Sequence, residues 1–529
     1  MKKFILRAIC AMPLLWADLT LSAQHNHNGF GCSVSHADQT QIVERMQENR
    51  RNAAALMADF AHTQRTGNGK VWIPIQFHIV GNSQGQGYKD LNDIWDNMCR
   101  LNTDYASQNI QFYMPEGPRY INNDALYIND NAQNLASYVM GINRVAGRVN
   151  VFIGEDIVEG GGTFGTTLGY YVAFPDIIYA IKSTVNGGSK TLTHEIGHYF
   201  TLAHPFFGWE NQEYAQVIAV NGNKPPRLVN GREVELVPRR NSANANCMFA
   251  ADGFCDTDPD YNFGLFAGGN CGFAGAVDPD SVPVPFASAA DNFMSYFNDN
   301  CTNKFSAEQK AAIVLDVTAR GYNRLPAPDT TPTAGLSTIQ WPMANNPATN
   351  SVSNLRWSVV PNATYYIVTV DRTFNGTFIS RHAQFLLGAG QNNVWATLDA
   401  NREYTWTVRA TNSTDFCTNG VSAPATFRSF GYNVAVEQTA NVLSDSRIFP
   451  NPTGADKQLN VEINMAQAAD AQMSISNSLG QTVMSKRTLS LNQGTNYQTL
   501  DLSTLSAGLY IVHIETTNGR VAHRLVLGE

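Results

Sequence analysis

The pattern of apolar and polar positions changes character once along this chain, near residue 326. Before that point two periodicities mix. From Thr40 to about Met57, Ile42, Val43, Met46 and Ala53 fall on one side of a helix. Leu91, Ile94, Trp95, Met98, Leu101 and Tyr105 recur at helical spacing and predict a helix over 91–105. The runs Val71–Val80, Val149–Ile153 and Ile177–Ile181 read as strands, the first after a polar, glycine-containing stretch at Thr66–Gly69. Helices and strands that alternate in this way imply an α+β or α/β layered domain. Ser306-Ala-Glu-Gln309 resembles a capping box that opens a last helix, ending near Arg320.

Pro326, Pro328 and Pro332, with Asp329, Thr330 and Thr331, then form a linker over 326–335. Beyond it the pattern becomes short and alternating. Leu355–Trp357, Tyr365–Val370 and Tyr404–Val408 are separated by Asn, Gly and Pro turns, as in a β-sandwich over 336–432. A second all-β unit occupies 445–529, with its first strand near Ile448. The fold class expected is therefore multidomain: an α+β domain over 67–325 with a mixed sheet, followed by two all-β sandwiches.

Composition narrows the picture. A chain of 529 residues exceeds one compact domain, and 43% hydrophobic with 10% aromatic content is that of globular protein. Net charge is -8, and no basic stripe points to nucleic acid. Lys2, Lys3 and Arg7 precede an apolar stretch from Ala8 to Ala17, and Ser22 and Ala23 follow, so residues 1–23 read as an export signal. That stretch is too short to span a bilayer, and no later segment is long enough. Of eight cysteines, Cys10 lies within the signal. The other seven include four crowded into 247–301, as disulfides in an oxidising compartment would be.

The chemistry concentrates in His194-Glu195-Ile196-Gly197-His198, followed by His204. Histidines four apart share a helix face and reach one zinc ion. Glu195 is placed to take a proton from water activated there, and His204 supplies a third ligand with one position left open, the catalytic arrangement. A rival reading makes Glu210 or Glu213 the third ligand. The helix is expected to start near Ser189 as its cap. Returning His204 to the metal requires a sharp turn, usually built on glycine at the third position after the second histidine. Here that residue is Thr201, so either the turn differs or the strain is tolerated.

The string His194-Glu-x-x-His198-x-x-Thr201-x-x-His204 resembles the extended zinc motif of the metzincin clan of metalloproteases. Asp291-Asn292-Phe293-Met294-Ser295-Tyr296 resembles the clan's Met-turn. Asn292–Gln309, with Cys301 and Phe305, is similar to the pappalysin family, as are Asp252-Gly253-Phe254-Cys255-Asp256-Thr257 and the strand Ile73–Val80. Pro259 falls one residue later than that family's pattern has it. The resemblance spans 67–325 and implies a zinc endopeptidase of protein or peptide substrates. In it His194, His198 and His204 hold zinc, and Glu195 is general base and then acid. Met294 forms the apolar floor, and Tyr296 hydrogen-bonds the tetrahedral intermediate. It further implies disulfides, Cys271–Cys301 first and Cys247–Cys255 next, and calcium at Asp252 and Asp256; the same loop reads equally as solvated and acidic. Residues 24–66 resemble a pro-segment in which Cys32 is a latency switch, a plain disulfide partner or an unpaired thiol. The residue after Cys301, where some relatives place an acid, is Thr302, which argues against cleavage beside arginine. A protease-like surface adhesin with weakened catalysis is the alternative that Thr201 leaves open.

Residues 336–432 resemble a fibronectin type III domain through Trp357, Tyr365–Val370 and Leu398 leading to Tyr404. Residues 445–529 resemble a type IX secretion C-terminal sorting domain through Ile448-Phe449-Pro450-Asn451-Pro452, the Ser478–Gln481 turn and Ala507-Gly508-Leu509-Tyr510. That resemblance implies the type IX machinery as a partner and a secreted or cell-surface location.

Overall fold

The computed structural model describes residues 34–66, 69–129, 135–157, 167–238, 242–333, 335–344, 352–417, 420–429, 443–453, 457–477, 480–516 and 519–528. The expected export signal, Cys32 and part of the Ser478–Gln481 turn lie outside them.

Two helices open the described chain, α1 (His36–Arg51) and α2 (Ala53–Thr66). One helix was expected over 40–57. It breaks at Asn52, whose N–H closes on the carbonyls of Glu48 and Arg50. The alanine-rich stretch that follows has high helix propensity and carries α2 on to Thr66. Strand β1 (Val71–Gly81) is buried at every position. On one side it pairs in parallel with β2 (Ile110–Tyr113) and then β3 (Arg119–Asn122), and on the other with β4 (Val149–Gly154). The sheet continues through β6 (Ile177–Ile181), parallel to β4, and ends at β5 (Gly169–Val172), antiparallel to β6. A sheet of mixed direction was expected, and among the described residues its antiparallel edge is β5.

Helices α3 (Leu91–Asp104), α4 (Leu135–Asn143), α5 (Thr191–Tyr199) and α6 (Ala307–Ala319) accompany this sheet. The Ser306–Gln309 capping box forms as expected. One apolar core joins Ile73, Ile75 and Phe77 of β1, Ile94 and Met98 of α3, Leu192 and Ile196 of α5, and Ile313 of α6. Ile42, Val43 and Met46 of α1 belong to the same cluster. Burying each of Ile42 and Met46 contributes about 1.5–3 kcal/mol. Arg45 and Asn49 of α1 also meet the buried Asp316 carboxylate of α6. Helix α1 is thus part of the core and not a loose flap.

The first sandwich packs a three-stranded sheet on a four-stranded one. The three are β7 (Ile339–Trp341), β8 (Val352–Trp357) and β11 (Asn393–Thr397); the four are β9 (Tyr365–Phe374), β10 (Thr377–Gly388), β12 (Glu403–Thr411) and β13 (Ala425–Arg428). Trp357, Tyr366, Tyr404 and Trp406 fill the space between the sheets. This unit is welded to α3. Ile367 and Phe416 enter the core that holds β1 and α5. Trp95 Nε1–H donates to Thr411 Oγ1 (2.9 Å), Arg409 pairs with Asp96 (2.7 Å), and Cys99 is bonded to Cys417. The residues of the expected linker are held too: Asp329 and Thr331 accept hydrogen bonds from Thr414 and Asn412 through their carbonyls.

The last unit is a second sandwich. Strands β14 (Leu443–Phe449), β15 (Gln458–Met465) and β18 (Gly494–Asp501) face β16 (Ala469–Asn477), β17 (Thr482–Leu491), β19 (Gly508–Thr516) and β20 (Gly519–Leu527). Its core, including Val461, Ile475, Val512 and Leu525, is separate from the others. Among the described residues no helix is long and apolar enough to cross a membrane.

Candidate metal centre

Helix α5 carries the His-Glu-x-x-His string and is buried at every residue. Its start differs from expectation by one position. Lys190 is the N-cap and makes no side-chain cap, while Ser189 Oγ accepts the Thr191 N–H at 3.2 Å. From α3 and the residue after it, Tyr105 donates to the Thr193 carbonyl and Asp104 accepts from Thr193 Oγ1. These two bonds fix the first turn of α5.

The far end of α5 resolves the question posed by Thr201. Thr201 N–H donates to the His198 carbonyl and Leu202 N–H to the Gly197 carbonyl, each at 3.0 Å. This is the paired termination that places its first residue beyond the helix in the left-handed region. Thr201 occupies that residue with φ 69°. The strain therefore exists, at a cost of about 1–2 kcal/mol. Thr201 is fully buried, and its hydroxyl has no hydrogen-bond partner among the described residues. The chain nevertheless reverses and brings His204 back.

The Nε2 atoms of the three histidines converge. His194 and His198 lie 3.1 Å apart, His198 and His204 3.1 Å, and His194 and His204 3.2 Å. Each opposite nitrogen is held in place. His194 Nδ1 stands 2.8 Å from the Phe293 carbonyl, His198 Nδ1 2.7 Å from that of Leu202, and His204 Nδ1 3.1 Å from Glu210 Oε1. All three partners accept, so each ring carries its proton on Nδ1 and turns the Nε2 lone pair inward. Burial holds all three rings neutral by lowering their pKa values, His204 to about 3. Burial also pushes the Glu210 carboxyl up to about 7, while the Gly208 N–H and Arg232 pull it back. Glu210 thus stands behind His204 and outside the converging set.

Gln39 of α1 touches the same ring. Its amide nitrogen is 2.9 Å from His204 Nδ1, and its Oε1 accepts the His204 N–H at 3.3 Å. With Nδ1 protonated, the Glu210 carboxylate accepts that proton, and the Gln39 amide nitrogen, itself a donor, only packs against this edge of the ring. Gln39 was not foreseen, although its signal was there: it is a polar residue in helical register with Ile42, Val43 and Met46.

The segment 291–296 packs beneath the helix. A Cβ at Gly197 would collide with Met294 Sδ, so glycine at that position admits the methionine. Asn292 accepts the Met294 N–H and donates to Gln309 of the α6 cap, which ties this turn to α6. The Tyr296 ring lies 4.9 Å from that of His204 and 5.9 Å from that of His194. Glu195 is fully buried beside His194, and a Cβ at Gly169 would sit 3.3 Å from Glu195 Cγ. The edge strand β5 therefore runs against the glutamate.

Other expected residues fare unevenly. Cys271–Cys301 and Cys247–Cys255 are both bonded. Asp252 and Asp256 are not gathered into a calcium site. Asp252 Oδ1 accepts from Phe254 N–H and Thr257, whereas Asp256 caps α6 through Ser306 and the Glu308 N–H. Among the described residues the group able to hold a metal is His194, His198 and His204. That set fits zinc. Three neutral imidazoles with Zn–N near 2.0–2.1 Å need tetrahedral edges of about 3.4 Å, close to the observed separations, and each already has the outer partner such ligands use.

The fold and site define a chain with a buried, helix-borne three-histidine centre beneath a mixed sheet. The chain is similar to proteins named as extracellular metalloproteases. It is 25% identical to an extracellular metalloprotease of Colletotrichum graminicola over 299 residues, 53% of this chain and 87% of the relative. It is 25% identical to an extracellular metalloprotease of Neurospora crassa over 330 residues, 58% of this chain and 93% of the relative. Among solved structures, a promirolysin mutant of Tannerella forsythia aligns with 56% of this chain and 100% of its own, at 15% identity and a TM-score of 0.33. Residues 447–528 match the secretion system C-terminal sorting domain family. The chain is thus a secreted or cell-surface protein.

Proposed function

We propose that this chain is a secreted zinc endopeptidase of the pappalysin type, with His194, His198 and His204 as ligands and Glu195 as general base. The observation that carries the reading is the convergence of three Nε2 atoms within 3.2 Å, each ring oriented from behind by an acceptor on Nδ1. A zinc ion held there supplies Lewis acidity and lowers the pKa of water. Glu195 takes the proton of the attacking water and returns it to the leaving amine nitrogen. Tyr296 donates a hydrogen bond where negative charge develops on the scissile carbonyl oxygen. The edge strand β5 offers backbone groups to an extended peptide, which would lie as one more strand beside Glu195.

The described part of the expected pro-segment (24–66), from residue 34 onward, fits that role. Where α1 begins, Gln39 touches His204 and Asp38 accepts the N–H of Ala173 just past β5. The segment therefore supports His204 from behind and lies beside the strand an extended peptide would pair with. Glu195→Ala should retain zinc and lose cleavage of dye-labelled casein by at least about 1,000-fold. Retained proteolysis would sink the proposal.

A further inference from the structure

Asp260 and Ser295 are both buried and lie on different segments. The Ser295 hydroxyl donates to Asp260 Oδ2, and Asp260 Oδ1 accepts the Phe263 N–H at 2.9 Å. Burial raises this carboxyl to about 6, with hydrogen bonds opposing the rise. A buried carboxylate is expensive unless its hydrogen bonds secure something. What they secure is visible in the neighbours of Ser295. Met294 bears on Gly197 of α5, and the Tyr296 ring packs against His204 and, at 4.5 Å, against Phe206. On the other side of the clamp Asn262 takes a left-handed φ of 63° and leads into the short helical turn Phe263–Phe266. A Cβ on Gly264 in that turn would strike the backbone of Tyr296 and Phe297. The turn therefore lies directly against the tyrosine's backbone.

We infer that Asp260 and Ser295 are positioning residues for Tyr296, holding its phenol at the angle the proposed proteolysis requires. The inference rests on that proposal. A hydrogen-bond donor displaced by about 1 Å can lose about 100-fold in rate, so a clamp on the preceding residue has a kinetic consequence.

The test measures kcat and KM on dye-labelled casein, with zinc content, for the full chain. Ser295→Ala removes one hydroxyl and should lower kcat about 10-fold or more, with KM within about twofold and zinc unchanged. Ser295→Thr keeps the hydroxyl and should restore most of the rate. In a Tyr296→Phe background, Ser295→Ala should cost less than about a further twofold, because the residue it positions is already disabled. Should Asp260→Ala fail to fold, the serine series decides alone. A Ser295→Ala enzyme with undiminished kcat, or losses that add fully in the double variant, would overturn the inference. A zinc-loaded wild type that cleaves nothing would overturn the protease proposal instead.

Discussion

The two C-terminal sandwiches have similar architecture and opposite relations to the rest of the molecule. The first shares a core with the mixed sheet: Ile367 and Phe416 sit in one apolar cluster with Ile73 and Ile196. Its Cys417 is bonded to Cys99 of α3, and its Arg409 reaches Asp96 of the same helix. The second encloses its own core and meets the first through contacts such as Arg524 to Thr397. The boundary at 326–335 therefore separates two sequence patterns without separating two folding units. Helix α3 makes this matter for the metal, because Asp104, its last residue, and Tyr105 hold the first turn of α5.

The sharpest way to break this comparison is by truncation. A chain ending at 325 should be insoluble or lose its cooperative thermal transition, since exposed Trp95 and its neighbours would face water. A chain ending at 432 should melt within about 2 °C of the full-length protein, because the last sandwich buries its apolar surface internally. Cys417→Ser should destabilise the protein by about 2–4 kcal/mol in denaturant titration. A cut within 326–335 should release two fragments on electrophoresis only after reduction. Arg409→Ala removes a buried guanidinium from Asp96, the Asn92 carbonyl and the Phe416 carbonyl, and should cost about 2 kcal/mol. Thr201→Gly, at the metal end of the welded unit, should add about 1 kcal/mol: relief of left-handed strain outweighs the backbone entropy of glycine. Arg524→Ala, across the looser junction, should leave the melting temperature unchanged.

The local features were legible and the distant ones were not. The histidine string and the α6 capping box are written in short spacings, so a linear reading finds them, and the 291–296 segment stands out through its resemblance to a known motif. The helix over 91–105 follows from periodicity alone. The bond between Cys99 and Cys417 spans 318 residues, and nothing in either surrounding announces its partner. Docking of the first sandwich was hidden for a similar reason, since Ile367 and Phe416 look like ordinary sandwich residues. The resemblance implied Asp252 and Asp256 as cation ligands, yet both Asp256 oxygens cap α6 and Asp252 Oδ1 is taken by Phe254 N–H and Thr257. Thr201 taught the reverse lesson. Its conflict with the turn was visible in the sequence, and the surrounding hydrogen bonds impose the turn regardless.

In the proposed function three histidines hold one zinc ion while Glu195 remains outside the ligand set. Metal analysis of purified Glu195→Ala and His204→Ala tests this most directly. One zinc per chain is expected in the first and none in the second. Zinc retained by His204→Ala would contradict the proposal, because Glu210 would then be serving as a ligand and not as the support behind His204.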